Sequence, residues 1–411
     1  MNTQTAILDD SATDLPHILC VKFNQDQGCF AIGHENGFLV YNSNPIDLRV
    51  KRDFQDGEGN GLGIGKIAML HRTNYLALVG GGKNPKFSQK KVIMWDDLKR
   101  KNSLNLNFEG PVLDVLLSRI RIVVVLRDRV VIHSFSSPPK VHSVYETIDN
   151  EEGLCDMSVV SVSNDHDDNT QNGNRSHILA FPGRFSGQIQ VVDMSLSGQE
   201  KNVVKIVKAH KAKIRCLVVN RTGTLLASAS IYGTIIRVHS TRNTALIHEF
   251  RRGLDKATIT SLKFSPDSSK LAVLSDKNTL HVFKIDALES KQGLNRHQEA
   301  NNRHHILSKM PFPIPFSDYF NSTWSFCSVN TTKYHVLSKD EEINDIGVIA
   351  WSGNDSILLV WHNKKIWEKY VITKKADISQ VPAHGREDNE AQGSTEWAID
   401  RSGWKRLDSF T

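Results

Sequence analysis

Two stretches of the chain decide its fold. One is Ile214-Arg-Cys-Leu-Val-Val-Asn, Thr224-Leu-Leu-Ala-Ser-Ala-Ser and Gly233-Thr-Ile-Ile-Arg-Val-His; the other is Ile259-Thr-Ser-Leu-Lys-Phe-Ser, Lys270-Leu-Ala-Val-Leu-Ser and Thr279-Leu-His-Val-Phe. Each is a phrase of three short apolar runs. The breaks fall on turn residues, Asn-Arg-Thr-Gly at 220–223 in the first and Ser-Pro-Asp-Ser at 265–268 in the second. Runs of this length between such clusters are hairpin-connected antiparallel strands. The second phrase starts at 259 and the first at 214, an offset of 45 residues, which is the repeat length of WD40-type propeller blades.

The same phrase extends towards both ends. Ile18-Leu-Cys-Val-Lys-Phe, Gly28-Cys-Phe-Ala-Ile-Gly and Gly37-Phe-Leu-Val-Tyr form an N-terminal copy. Weaker copies begin near Ile67, Val112 and Met157, and a last one holds Gly347-Val-Ile-Ala-Trp, Ser356-Ile-Leu-Leu-Val-Trp and Ile366-Trp-Glu-Lys-Tyr. Seven units suffice to close a ring without exposed edges. The expectation is an all-β, seven-bladed β-propeller over residues 15–374, preceded by a flexible terminus at 1–14. Polar composition marks 164–176 and 375–394 as disordered insertions. Residues 395–411 either complete the last blade or pack on it, and the residues themselves leave that choice open. A long loop at about 286–323 interrupts the sixth blade; loops of that length are usually functional or disordered.

Composition excludes several classes. No run of about 18 apolar residues offers a transmembrane helix, and 1–14 lacks the basic start and apolar stretch of a secretory signal. Five cysteines without ligand spacing read as buried thiols in a reducing compartment, and the cytosolic side is the simple expectation. The alternating glycines at 57–65 do not make a P-loop, nor does Gly80-Gly-Gly-Lys, and no nucleophile elbow or zinc-protease helix occurs. His304-His305 has no third ligand at useful spacing. The expectation is a binding protein without catalytic residues, metal or cofactor.

Charge is the first pointer to a partner. The chain is formally +6, yet residues 201–256 hold six lysines and six arginines against only Glu249 and Asp255. One concentrated basic region on an otherwise acidic chain is the footprint of an anionic partner. Within it lies Phe250-Arg251-Arg252-Gly253, between the last strand of one blade and the first of the next. Neighbouring side chains on an extended segment point in opposite directions, so one guanidinium serves the preceding blade and the other the following one. The planar fork of arginine matches phosphate.

His248-Glu-Phe-Arg-Arg-Gly-Leu-Asp-Lys-Ala-Thr-Ile resembles the hallmark segment of the PROPPIN family, propellers that bind phosphatidylinositol 3-phosphate and phosphatidylinositol 3,5-bisphosphate. Leu76-Ala-Leu-Val-Gly-Gly-Gly, Ala209-His-Lys, Thr222-Gly-Thr-Leu-Leu-Ala-Ser-Ala-Ser and Phe264-Ser-Pro-Asp-Ser-Ser extend the likeness from about Leu15 to Tyr370. It is closest to the fungal "homologous with swollen vacuole" branch. The resemblance implies two headgroup sites. The first takes His210, Ser228, Ser230, Thr234, Arg237 and Arg251, with Gly233 allowing close backbone approach; the second takes Arg252, Ser275, Thr279 and His281. It further implies that the long loop enters the bilayer, through Met310, Phe312, Ile314, Phe316, Tyr319 and Phe320; prolines 311, 313 and 315 exclude a regular helix there. A monomer in solution is the default expectation, and the resemblance implies a peripheral protein of vacuolar, endosomal and pre-autophagosomal membranes. It recruits an autophagy lipid-transfer or scaffold protein through the second blade, including in selective and micro-autophagy. The competing readings are a WD-type protein scaffold whose basic patch meets an acidic protein, and RNA binding, disfavoured here, which would show as steep salt dependence.

Overall fold

The computed structural model describes residues 15–159, 177–195, 198, 201–285, 323–335, 345–374 and 397–407. The N-terminus 1–14, the predicted insertions at 164–176 and 375–394, and the six predicted bilayer residues of the long loop lie outside these.

The described chain forms seven sheets, each built on four antiparallel strands. Blade 1 is β1 (Ile18–Phe23), β2 (Cys29–His34), β3 (Gly37–Ser43) and β4 (Ile46–Asp53). Blade 2 is β5 (Ile64–Met69), β6 (Tyr75–Gly80), β7 (Lys91–Asp96) and β8 (Lys101–Asn107). Blade 3 is β9 (Asp114–Leu117), β10 (Arg121–Val125), β11 (Arg129–Ser134) and β12 (Val141–Glu146). Blade 4 is β13 (Asp156–Met157), β14 (Ile178–Pro182), β15 (Gln188–Asp193) and β16 (Val204–Lys208). Blade 5 is β17 (Ile214–Val219), β18 (Leu225–Ser230), β19 (Ile235–Ser240) and β20 (Leu246–Arg251), with a fifth strand, β24 (Thr323–Trp324), on its outer edge. Blade 6 is β21 (Ile259–Phe264), β22 (Lys270–Ser275), β23 (Thr279–Lys284) and β25 (Cys327–Asn330). Blade 7 is β26 (Gly347–Gly353), β27 (Ser356–Trp361), β28 (Ile366–Lys374) and β29 (Trp397–Arg406).

Burial explains why inner strands read as apolar runs and outer ones as alternation. Every residue of the second strands β2 and β18 is buried, because a strand in the middle of a blade has a strand on each edge and a neighbouring blade on each face. The outer strand β4 alternates between covered and exposed positions, as a strand with one wet side must. Each apolar cluster joins two adjacent blades. Phe30 and Ile32 pack against Leu358 and Val360 of blade 7, while Ala31, between them, packs against Ile64 and Leu78 of blade 2.

The same clusters decide how the ring closes. The C-terminal β29 pairs with β28 from Trp397↔Lys374 to Arg406↔Ile366, so it is the fourth strand of blade 7. It is held by a buried carboxylate: Glu368 accepts from Arg401 Nη1 at 2.9 Å, Trp361 Nε1 at 2.7 Å and the Tyr370 hydroxyl at 3.0 Å. Blades 7 and 1 then meet through a shared apolar cluster, and the Tyr41 hydroxyl donates to Leu407 O at 2.6 Å. Among the described residues no strand is exchanged between them.

The long loop falls inside the sixth blade, between β23 and β25. Before completing that blade the returning chain adds an edge to its neighbour: Thr323 and Trp324 run parallel to Phe250 and Arg251 on blade 5, and the fourth strand of blade 6 starts at Cys327.

Candidate functional site

Backbone alternation sorts the double arginine. In β20, Phe250 faces blade 6, in a cluster with Ile259, Leu262 and Phe283, and stacks on Phe283 at 4.8 Å. Glu249 and Arg251 therefore take the face towards blade 4, and Arg252 follows Phe250. Both guanidinium residues are buried, at 6% and 7% exposure, on either side of one strand end.

The cleft between blades 4 and 5 is built on one cross-strand row. Ser228 on β18 is paired with Arg237 on β19, and Arg237 with Glu249 on β20. Arg237 donates from Nε to Glu249 Oε2 at 2.8 Å and from Nη1 to Ala209 O at 2.7 Å. His210, on the connection from β16 to β17, shares a 3.0 Å hydrogen bond between Nε2 and the buried Ser228 hydroxyl. Burial, with Arg237 adding to it, lowers the His210 pKa to about 4, so the ring is neutral at pH 7. Ser230 lies two residues beyond Ser228 on the same face, also buried.

Gly233 and Thr234 make contacts within the chain. Gly233 has φ +60°, and a Cβ there would stand 1.8 Å from the Ala257 carbonyl oxygen. What approaches Gly233 is the chain's own next connection. Thr234 accepts the Arg252 backbone N–H at 2.9 Å, and Gly233 O accepts Arg252 Nε at 3.1 Å. The β18–β19 tip thus also positions the second arginine.

The cleft between blades 5 and 6 holds Arg252, Ser275, Thr279 and His281. Arg252 also donates from Nη2 to Asp255 O. Burial lowers its pKa, and Asp276 and Asp255 work against that. His281 points towards blade 5 with Phe283, two residues on; burial, then the nearby Arg252, lowers its pKa to about 4. Its Nδ1 shares a 3.1 Å hydrogen bond with Ser325 Oγ, just after β24. Ser275 Oγ is buried without a hydrogen-bond partner among the described residues, and Thr279 Oγ1 donates to Lys277 O at 3.3 Å. Each cleft is a set of cationic and neutral donors, suited to phosphate oxygens.

Counting along the sequence overstated the charge of the basic segment. Lys213 pairs with Asp149 at 3.7 Å and Glu151 at 3.4 Å, and Arg215 pairs with Glu152 at 3.3 Å. Those acids come from the connection between blades 3 and 4, some 60 positions earlier in the chain. The residues that sequence reasoning missed are Glu249, Ser325 and the edge strand β24. Only the Glu249 contact had a local signal, a carboxylate two positions before the first arginine.

Two buried arginines flank the strand end of Phe250-Arg-Arg-Gly, and the sequence profile of PROPPIN matches residues 17–312. The chain belongs to the PROPPIN family. This PROPPIN is 58% identical to the SVP1-like protein 2 of Debaryomyces hansenii, with both chains covered completely. It is 38% identical to that of Saccharomyces cerevisiae, over 95% of this chain and 96% of the relative. Among solved structures it is similar to Hsv2p of Kluyveromyces lactis, with a TM-score of 0.66 and 28% identity over 95% of this chain and 99% of the other. A complex of KlAtg21 with the coiled coil of AgAtg16 shares the fold at 18% identity and a TM-score of 0.61, over 86% of this chain and 94% of the other. Like its family, this PROPPIN is a binding propeller of the phosphoinositide and autophagy class. No helix among the described residues is long and apolar enough to cross a membrane.

Proposed function

We propose that this PROPPIN binds phosphatidylinositol 3-phosphate and phosphatidylinositol 3,5-bisphosphate through the two clefts, and so docks as a peripheral protein on vacuolar, endosomal and pre-autophagosomal membranes. The observation that carries the reading is the split of Arg251 and Arg252 between two clefts lined by His210, Ser228 and Arg237 on one side and Ser275, Thr279 and His281 on the other. Each cleft alone gives modest affinity. Two clefts on one rigid rim make the second contact intramolecular, which raises avidity by orders of magnitude. Apolar residues of the segment 286–322 add a bilayer anchor in this scheme. The rest of the rim, including the connection from β6 to β7 with Lys83 and Lys86, recruits protein partners for autophagy and vacuolar or endosomal trafficking.

Liposome flotation against a phosphoinositide panel tests the reading, with Arg251→Thr/Arg252→Thr as the comparison. Binding restricted to 3-phosphorylated lipids and lost in the double variant is the expected result. Because both residues are buried, Arg251→Lys/Arg252→Lys is assayed beside it. Lysine keeps the charge and loses the fork, so a folded Lys variant with weakened binding separates headgroup recognition from collapse. Equal flotation by all three proteins would move the reading to a protein scaffold.

A further inference from the structure

Four turns at one end of blades 4, 5 and 6 are bonded into a ledge between the two clefts. The Ile231 N–H donates to Lys213 O at 3.0 Å, the Ala257 N–H to Tyr232 O at 3.2 Å and the Asp276 N–H to Thr258 O at 2.9 Å. Arg252 spans the middle, donating to Gly233 O and Asp255 O. A ledge fixed this way has no need of apolar side chains on its outer surface. Yet Ile231 and Tyr232 at the β18–β19 tip are 46% and 47% exposed, and Leu254 on the next connection 56%. The exposed lysines on the same turns are Lys211, Lys256 and Lys277, against Asp255 and the half-buried Asp276, while Lys213 is paired with Asp149 and Glu151. The Lys256 ammonium lies 4.9 Å from the centre of the Tyr232 ring.

We propose that this ledge is an ordered foot that lies in the headgroup layer of an anionic bilayer, with Ile231, Tyr232 and Leu254 reaching below the phosphates and the three lysines level with them. The inference rests on the headgroup reading above and adds a contact surface to it. A bilayer is the occupant for two reasons. The apolar side chains are interleaved with lysines on the turns themselves, as on surfaces that meet acidic lipid; and a tyrosine under an ammonium is a pairing suited to the membrane interface, where the ring is half apolar and the cation stays wet. Position supports it further. The ledge is bonded directly to Arg252, so a headgroup seated on that guanidinium brings the foot to the bilayer surface.

The test uses full-length protein, vesicles of phosphatidylcholine containing phosphatidylinositol 3-phosphate, and the water-soluble dibutanoyl form of the same lipid. The variant is Ile231→Ser/Leu254→Ser, which touches neither arginine. Expected are soluble-lipid affinity within twofold of wild type and vesicle affinity reduced at least tenfold. In Tyr232→Trp, emission gained over wild type shifts to the blue on adding vesicles and is quenched by brominated lipid. Unchanged vesicle affinity in the Ser variant, with wild type binding normally, overturns the foot and leaves the headgroup reading intact, the ledge then being free for a protein. Loss of both soluble and vesicle binding overturns it too, since the ledge would then be part of the pocket. Failure of wild type to bind either form refutes the headgroup reading and the foot with it.

Discussion

The blade 5 and blade 6 clefts stand on equivalent strand positions and solve the same problem differently. In blade 5 the row is Ser228, Arg237, Glu249; in blade 6 the matching row is Val273, His281, Ser328. The first places a guanidinium beside an internal carboxylate, with an ion pair of 2.8 Å. The second places a neutral imidazole beside Arg252 and ties it to Ser325 on the returning segment. An anion entering the blade 5 cleft therefore competes with Glu249 for Arg237. One entering the blade 6 cleft meets no carboxylate in its row, but it depends on a chain segment arriving from outside the blade. One scaffold thus yields one cleft with an internal ion pair and one that is completed by a returning segment.

That contrast can be broken by single substitutions read with soluble headgroup. Arg237→Ala has the largest expected effect. A charge-assisted hydrogen bond is worth about 1.5–3 kcal/mol, so blade 5 affinity falls roughly 10- to 100-fold. His281→Ala removes a neutral donor worth about 1 kcal/mol, and calorimetry on the blade 6 site should read roughly a fivefold loss. Equal losses from the two variants would erase the distinction between the clefts. Glu249→Gln should strengthen blade 5 binding by a few-fold, because a part-exposed ion pair contributes about 0.2–1 kcal/mol; a weakening would mean that Glu249 positions Arg237 more than it competes for it.

The effect that least distinguishes the clefts is one of pH, which should treat them alike. Burial lowers His210 and His281 to about 4 from an ordinary value near 6.5. Between those values the unfolded chain binds more protons than the folded one, so stability is complete above about pH 6.5 and declines as pH falls towards 4. Urea midpoints should be lower at pH 5 than at pH 7.5, and His210→Asn and His281→Asn should each flatten that slope. A slope left intact by one variant would mark its ring as already hydrated.

Legibility in the sequence followed the range of the interaction. The opposed arginines could be read from four residues, since alternation along a strand needs no knowledge of what lies on either side. The blade repeat was readable from turns 45 residues apart. The shared bulge after the first residue of the inner strand, between Ile214 and Cys216 and again between Ile259 and Ser261, has no sequence mark. Gly233 was singled out for backbone freedom, which its φ of +60° requires, while the close approach of Ala257 O to it had no local signal. The local charge excess was legible, whereas its partial cancellation by Asp149, Glu151 and Glu152 was not.

The residues by themselves determined strand content, the number of blades and the opposite facing of Arg251 and Arg252, because these depend on two-residue periodicity and turn chemistry within a few positions. Tertiary structure alone decided that Glu249 and Ala209 hold Arg237, that Thr323–Trp324 edges blade 5, and that blade 7 closes on blade 1. The Tyr41–Leu407 bond across that last junction joins residues 366 positions apart. Contacts of that kind are fixed by how seven double-sided sheets bury their faces against one another, and no local pattern carries that information.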